Sequence, residues 1–293
     1  MNRLTTSHLA TRLLHAALPL MLAVGLSGPA AAADKISEKT AAALVQESGL
    51  GDQLPTIPAG IEAGLNVKPE AAAQLTEAQL ETLRGILAES YSPAKLTASL
   101  ITELPALIGP VAAKDALAWL QSDVGKKITA LEDAAAKTAG DSEVFAEAQK
   151  LFERLPPRRV DRYVRLIQAT HVADGSANLV INVTLGTIVG AAAAGAPGKP
   201  LPNLDEVRKQ LDENRPQMIE SINSQFLVLF GAAYQALPEN ELDQYLAFSE
   251  SKSGIEYSKA MIAALDKAMT RAAVESGREI QLRMATAKPK SDA

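Results

Sequence analysis

A stretch of nine residues, Leu117-Ala118-Trp119-Leu120-Gln121-Ser122-Asp123-Val124-Gly125, returns 129 positions later as Leu246-Ala247-Phe248-Ser249-Glu250-Ser251-Lys252-Ser253-Gly254. Leucine, alanine, serine and glycine recur in register, and the aromatic residues Trp119 and Phe248 fall at the same place. Leu44-Val45-Gln46-Glu47-Ser48-Gly49-Leu50-Gly51-Asp52 matches Leu166-Ile167-Gln168-Ala169-Thr170-His171-Val172-Ala173-Asp174 at an offset of 122, in the same order along the chain. Two ordered matches at nearly equal offsets point to a tandem repeat. Each nine-residue box describes the end of an apolar helix, a break, and a new helix that restarts on glycine. Trp119 and Phe248 therefore read as equivalent core anchors, and Gly125 and Gly254 as equivalent restart positions. Gly49 stands where a helix stops, which places the aligned His171 at a helix C-terminus in a capping or packing role rather than a catalytic one.

The remaining punctuation is helical. Thr76-Glu77-Ala78-Gln79 fits a capping box opening a helix to about Ser90. Ser92-Pro93 and Gly109-Pro110 open further helices, since proline is tolerated in the first turn. A linker helix is expected from about Ser142 to Arg154, and a long uninterrupted helix from about Gln217 to Ala236, split in the first copy near Pro105. Ser253-Gly254-Ile255-Glu256 fits a second capping box, opening a helix that reaches about Met284. Strand character is confined to Val180-Ile181-Asn182-Val183. The expected fold is all-α, a bundle-like array of about 10–13 helices in two related halves. The organisation reads as a signal peptide over 1–33, a first helical half over 34–140, a linker helix over 141–157, a second half over 158–287 and a polar tail over 288–293.

The address is carried by Arg3 and Arg12, the apolar run Leu13 to Leu26, and Ala31-Ala32-Ala33 before Asp34. This is the pattern of a secretory signal peptide cleaved after Ala33, and it implies a periplasmic protein. Loss of Arg3 and Arg12 leaves 27 basic against 34 acidic residues, a net charge of −7. An acidic exported chain lacks the clustered cations that nucleic acid or anionic lipid requires, so neither is an expected partner. The run Arg158, Arg159, Arg162 and Arg165 is spaced for one side of a helix and reads as its solvated face. Leu179 to Ala196 is the most apolar stretch after the leader and contains Gly186-x-x-x-Gly190. Its alanines and three polar residues favour a buried central helix over membrane insertion.

Chemistry is sparse. The chain has no cysteine, and only His171 of its three histidines lies outside the leader, so disulfides, thiolate chemistry and multi-histidine metal sites are excluded. No metal ligand set, cofactor site or catalytic residue is assigned. Ser92-Pro93-Ala94-Lys95, Ser176-Ala177-Asn178 and Lys252-Ser253-Gly254 occur in the order of the three signatures of serine acyl-enzymes that act on the cell wall. The third signature belongs on a strand, whereas Lys252-Ser253-Gly254 lies between two helices. Glu239, Glu241 and Asp243 share the first turn of a helix, where acidic residues are favoured electrostatically.

Leu44 to Leu54, the two boxes, and above all Leu237-Pro238-x-x-Glu241-Leu242-Asp243-x-Tyr245-Leu246-x-Phe248-x-x-Ser251-x-x-Gly254 resemble the exported bacterial family known as domain of unknown function 2059. The likeness covers the boxes and their flanks. The Tyr245 and Phe248 spacing departs from that family's adjacent aromatic pair, and the first copy lacks the acidic helix start. What the resemblance implies is an exported helical protein without an assigned activity. The expected function is non-enzymatic binding of a protein or envelope component, with a carrier or sensor of an apolar ligand held between the halves near Leu179 to Ala196 as the alternative and a cell-wall-directed serine acyl-enzyme as the third reading.

Overall fold

The computed structural model describes residues 35–57, 76–138, 141–193 and 203–286. The leader with Ala33, the tail 288–293 and residues 194–202 lie outside the described residues. Among the described residues the chain is all-α, with no strand. The first copy forms α1 (Glu38–Glu47), α2 (Leu50–Gln53), α3 (Glu77–Ser90), α4 (Pro93–Glu103), α5 (Pro110–Leu120) and α6 (Asp123–Thr138). After α7 (Ser142–Phe152) the second copy forms α8 (Pro157–Thr170), α9 (Val172–Ala193), α10 (Leu204–Ala233), α11 (Glu239–Glu250) and α12 (Lys252–Thr286). Short 3-10 turns follow α2 (Leu54–Thr56) and α4 (Leu104–Ala106).

Local chemistry explains most ends. Thr76 caps α3 reciprocally with Gln79, so two otherwise orphaned backbone donors are satisfied. Both Gly49 and His171 adopt left-handed backbone, with φ 73° and 52°, and each stops one helix while the next begins one residue later. His171 is the sole non-glycine residue at positive φ among the described residues, an arrangement L side chains adopt only under local constraint. The two stops therefore occupy equivalent places, between α1 and α2 and between α8 and α9.

The two copies do not keep separate cores. One apolar cluster joins α1, α3, α4 and α5 to the middle of α12, from Tyr257 to Ala273, together with Leu179 of α9. The other joins α8, the start of α9, α10 and α11 to Ile128 of α6. Each copy thus lends its last helix to the core of the other. Buried stripes at i, i+4 and i+8 fill corresponding places: Leu96, Leu100 and Leu104 along α4 to its C-cap, and Phe226, Phe230 and Tyr234 at the end of α10.

Helices α9 and α12 are in contact over much of their length. A Cβ at Gly190 would lie 1.9 Å from the Val274 carbonyl oxygen, and one at Gly277 would lie 2.1 Å from that of Thr187, so only glycine allows this approach. Polar groups of α9 are satisfied within the protein: the Asn182 amide donates to both carboxylate oxygens of Asp266 at 3.1 and 2.9 Å, and the Thr184 and Thr187 hydroxyls bond the carbonyls four residues earlier. Val172–Ala192 is long and apolar enough to cross a membrane, but half of it is buried inside the protein. Val180-Ile181-Asn182-Val183 is helical.

Three local expectations change. The helix that ends at Ala233 begins at Leu204 and runs through Pro216, whereas the first copy is broken at Tyr91-Ser92, upstream of Pro105. Arg215 holds the segment around Pro216 against α9, bonding Asp174 at 3.1 Å and Asn178 at 3.1 and 3.3 Å. The cap of α12 is Ser251 rather than Ser253, as its hydroxyl accepts from the Gly254 amide at 3.0 Å. Ser253 and Glu256 instead reach across to the first copy.

Of the α8 arginines, Arg158 and Arg165 are exposed as a solvated face would be, whereas Arg159 and Arg162 turn inward. Arg159 is 8% exposed, and its guanidinium donates to the Tyr163 hydroxyl at 2.9 Å, to the carbonyls of Tyr234 and Leu237 at 2.5 and 2.7 Å, and to Glu239. It thereby closes the C-terminal end of α10. Arg162 forms a two-pronged pair with Asp243 at 2.6 and 3.1 Å, and Arg165 does the same with Glu250 at 2.9 and 2.7 Å. The carboxylates along α11, from Glu239 at its start to Glu250 at its end, are the partners of this row.

Candidate functional site at the junction of the two copies

The boxes repeat in geometry as well as in sequence. The Ser122 hydroxyl donates to the Trp119 carbonyl at 2.6 Å and accepts from the Gly125 amide at 3.0 Å. The Ser251 hydroxyl donates to the Phe248 carbonyl at 2.6 Å and accepts from the Gly254 amide at 3.0 Å. The new helix folds back so tightly that a Cβ at Gly125 would sit 2.0 Å from the Trp119 carbonyl oxygen, and one at Gly254 would sit 1.9 Å from that of Phe248. Each glycine is the third residue of its helix, required by this approach rather than by a positive φ.

The two turns face each other. Trp119 and Phe248 stack at 5.0 Å between ring centroids with planes 11° apart, and Tyr245 lies parallel to Trp119 at 5.9 Å. Both rings are partly buried. Trp119 packs against both apolar clusters, and Phe248 packs against the first. Contacts also cross reciprocally. Lys127 bonds Glu241 in the first turn of α11 at 2.6 Å. Its counterpart 129 positions on, Glu256, accepts from the Gly109 amide at the start of α5 at 2.8 Å. The first copy lacks an acidic helix start, and the carboxylate that favours such a start comes from the second copy. Ser253 adds a bond to Asp115 at 2.6 Å.

A cavity of about 70 Å³ lies at this junction. Its walls are paired by the repeat: Ser48 with Thr170, Trp119 with Phe248, Leu120 with Ser249, Ile128 with Tyr257, Thr129 with Ser258, and Glu132 with Met261. The cavity therefore lies on the approximate two-fold relation between the copies. Its chemistry is not symmetric, because an acid stands opposite a methionine.

Glu132 is the centre of that asymmetry. One carboxyl oxygen accepts from the Tyr234 hydroxyl at 2.5 Å and from the Tyr245 hydroxyl at 3.0 Å. Burial pushes the Glu132 carboxyl above the ordinary carboxylate range, against the lowering effect of the two phenols and with a smaller contribution from the negative charge of Asp133. Burial likewise pushes the Tyr234 and Tyr245 hydroxyls well up, so both remain protonated donors. Gln53, 4% exposed, donates to Asp133 at 2.7 Å, while its side-chain oxygen is buried without a hydrogen-bond partner.

The sequence-level anchors fall into two groups. Trp119, Gly125 and Phe248 line the cavity, and Gly254 shapes its wall from the turn after Phe248. Gly49 and His171 lie beside Ser48 and Thr170, at the helix stops that deliver those hydroxyls to it. Sequence reasoning missed Glu132, Gln53, Tyr234 and Tyr245. The signal for Glu132 was present, since the 129-residue offset places it opposite Met261.

Ser92, Ser176 and Ser253 lie at the start of α4, within α9 and within the first turn of α12. Lys95 is paired with Glu275 at 2.6 Å, and Ser253 is bonded to Asp115. No hydrogen bond joins the three signatures among the described residues. No cluster of three or more histidine or carboxylate side chains that could hold a metal ion occurs among the described residues.

A second concavity is open and apolar. It has a volume of about 310 Å³ and lies where α6, α7 and α10 meet, lined by Leu131, Ala134, Ala135, Val144, Phe145, Ala148, Leu229, Ala232 and Ala233, with Thr138 and Gln235 at its polar edge. Val144 is 40% exposed on its rim.

In comparison with known proteins, the chain matches no family model, no curated protein and no solved structure.

Proposed function

We propose that this is an exported, periplasmic, non-enzymatic protein that binds a protein or envelope component through the apolar groove between α6, α7 and α10. The observation that carries this reading is the contrast between the two concavities. The junction cavity is small and polar in part, whereas the groove is larger, apolar and open to solvent. A carrier of an apolar ligand is better served by an enclosed pocket that buries most of its cargo. An open, alanine-floored groove instead suits short apolar side chains presented by a partner, because small residues let another backbone approach. The signal-peptide pattern and the resemblance to domain of unknown function 2059 support the exported location, and membership of that family is part of the proposal.

The test is affinity capture from the periplasm with wild-type protein and with Ala232→Glu, followed by mass spectrometry of bound proteins and lipids. The expected result is a component recovered with wild type and lost with Ala232→Glu at unchanged melting temperature. Equal recovery by both proteins counts against the groove.

A further inference from the structure

We propose that the Tyr234–Glu132–Tyr245 cluster is a pH-sensitive latch that sets how far α6 stands from α10, and with it the width of the apolar groove. The walls of that groove are fastened differently. Its α7 wall is packed onto α10, where Phe152 at the end of α7 and Leu155 just after it would meet a Cβ at Gly231 at 3.3 and 3.2 Å. Its α6 wall belongs to the first copy, and among the described residues α6 makes hydrogen bonds to the second copy through Lys127 and Glu132. The Lys127 pair with Glu241 is largely solvated and holds weakly. Glu132 stands between Leu131 and Ala134 of the α6 wall, and Tyr234 directly follows Ala233 of the α10 wall. The 2.5 Å bond between them is therefore a crossbar joining the two walls, and the 3.0 Å bond from Tyr245 ties the same oxygen to α11.

The surroundings of the crossbar oppose a negative charge on it. On α6 the neighbouring charge is Asp133, which has Asp52 of α2 and Lys137 beside it. Helices α10, α11 and α12 present the phenols Tyr234, Tyr245 and Tyr257, all pushed up by burial and so neutral. Helices α5 and α8 present Trp119, Leu120 and Thr170, and no lysine, arginine or histidine lines the cavity beside Glu132. A carboxyl withdrawn from water holds its proton more tightly than one that water reaches. Closure is therefore favoured while Glu132 is protonated, and the latch loosens as pH rises and the charge draws water in. The proposal rests on the groove as the docking site, and on that reading the latch makes docking depend on pH.

The chain has no cysteine, so two spin labels can be placed without background. Ala130 on α6 and Ser224 on α10 are exposed and line neither concavity. The experiment measures the distance between nitroxides at Ala130→Cys and Ser224→Cys in the full chain by pulsed electron paramagnetic resonance between about pH 4 and 8. A distance that lengthens with pH by about 1–2 Å or more, the scale of helix shifts in switching proteins, is expected. Glu132→Gln should abolish the change, and Asp133→Asn should keep it. Where Glu132→Gln does not fold, Tyr234→Phe decides: it keeps the ring, removes the crossbar, and should show the longer distance already at acid pH. The proposal is overturned by a distance that does not respond to pH, by a response that survives in Glu132→Gln or is lost in Asp133→Asn, or by an unchanged acid distance in Tyr234→Phe. No partner takes part in this measurement, so its failure removes the latch and leaves the groove to be judged by the Ala232→Glu capture.

Discussion

Glu132 shows how one residue can set a property of the whole. Its carboxyl is pushed up chiefly by burial, so the folded protein holds that proton more tightly than the unfolded chain. The linkage has a fixed sign. The contribution is fully present below the unfolded carboxylate pKa of about 4.3, and is lost as pH rises through the higher folded value. Asp133 and Asp266 are raised by burial in the same direction, whereas pairing with Lys267 and Arg271 lowers Glu103, and pairing with Arg162 lowers Asp243. Subtracting a Glu132→Gln variant removes these shared terms. Urea denaturation should show wild type losing stability relative to Glu132→Gln as pH rises from below 4 toward neutrality. A difference that is flat across that range would show that Glu132 titrates alike in both states.

At the scale of single elements, the two serine-glycine turns make the strongest claim of equivalence. Alanine at Gly125 or Gly254 places a methyl group against the carbonyl that each serine already bonds, and each substitution should cost ~2 kcal/mol or more. Gly85 is the control, since it lies within α3 with nothing within 4 Å of an added Cβ. Gly85→Ala should raise stability by about 0.5–1 kcal/mol. Chemical denaturation of the three variants checks this, and a neutral result at either box glycine would break the equivalence. These turns were legible in the sequence because a box is local: the ring, the serine and the glycine lie within seven residues. Ser253 was misread because Ser-Gly-Ile-Glu satisfies the same pattern, while its actual partner, Asp115, lies 138 residues away. Arg159 and Arg162 were misread for the same reason, since their carboxylates lie on α11, about 80 residues downstream. The Glu132 cluster was invisible because its phenols come from the end of α10 and from α11, more than 100 residues on.

Across the whole molecule, the two similar stretches of chain are built into one fold rather than two beads. The all-α class and the order of helices followed from caps, prolines and apolar spacing, which act over a few residues. That α12 completes the core of the first copy did not, because an apolar helical face does not name the surface it will cover. The consequence is cooperativity. Residues Tyr257 to Ala273 pack with α1, α4 and α5, while Ile128 of α6 packs with the second cluster, so neither copy buries its core alone. Trp119 sits where the copies meet and reports their separation, whereas circular dichroism reports helix throughout the chain. The most direct test is equilibrium urea unfolding followed by both signals on the same samples. Coincident single transitions with one midpoint are expected, as for a single cooperative unit. A Trp119 transition at clearly lower urea than the loss of helix would contradict the account, because the copies would then part while each remained folded.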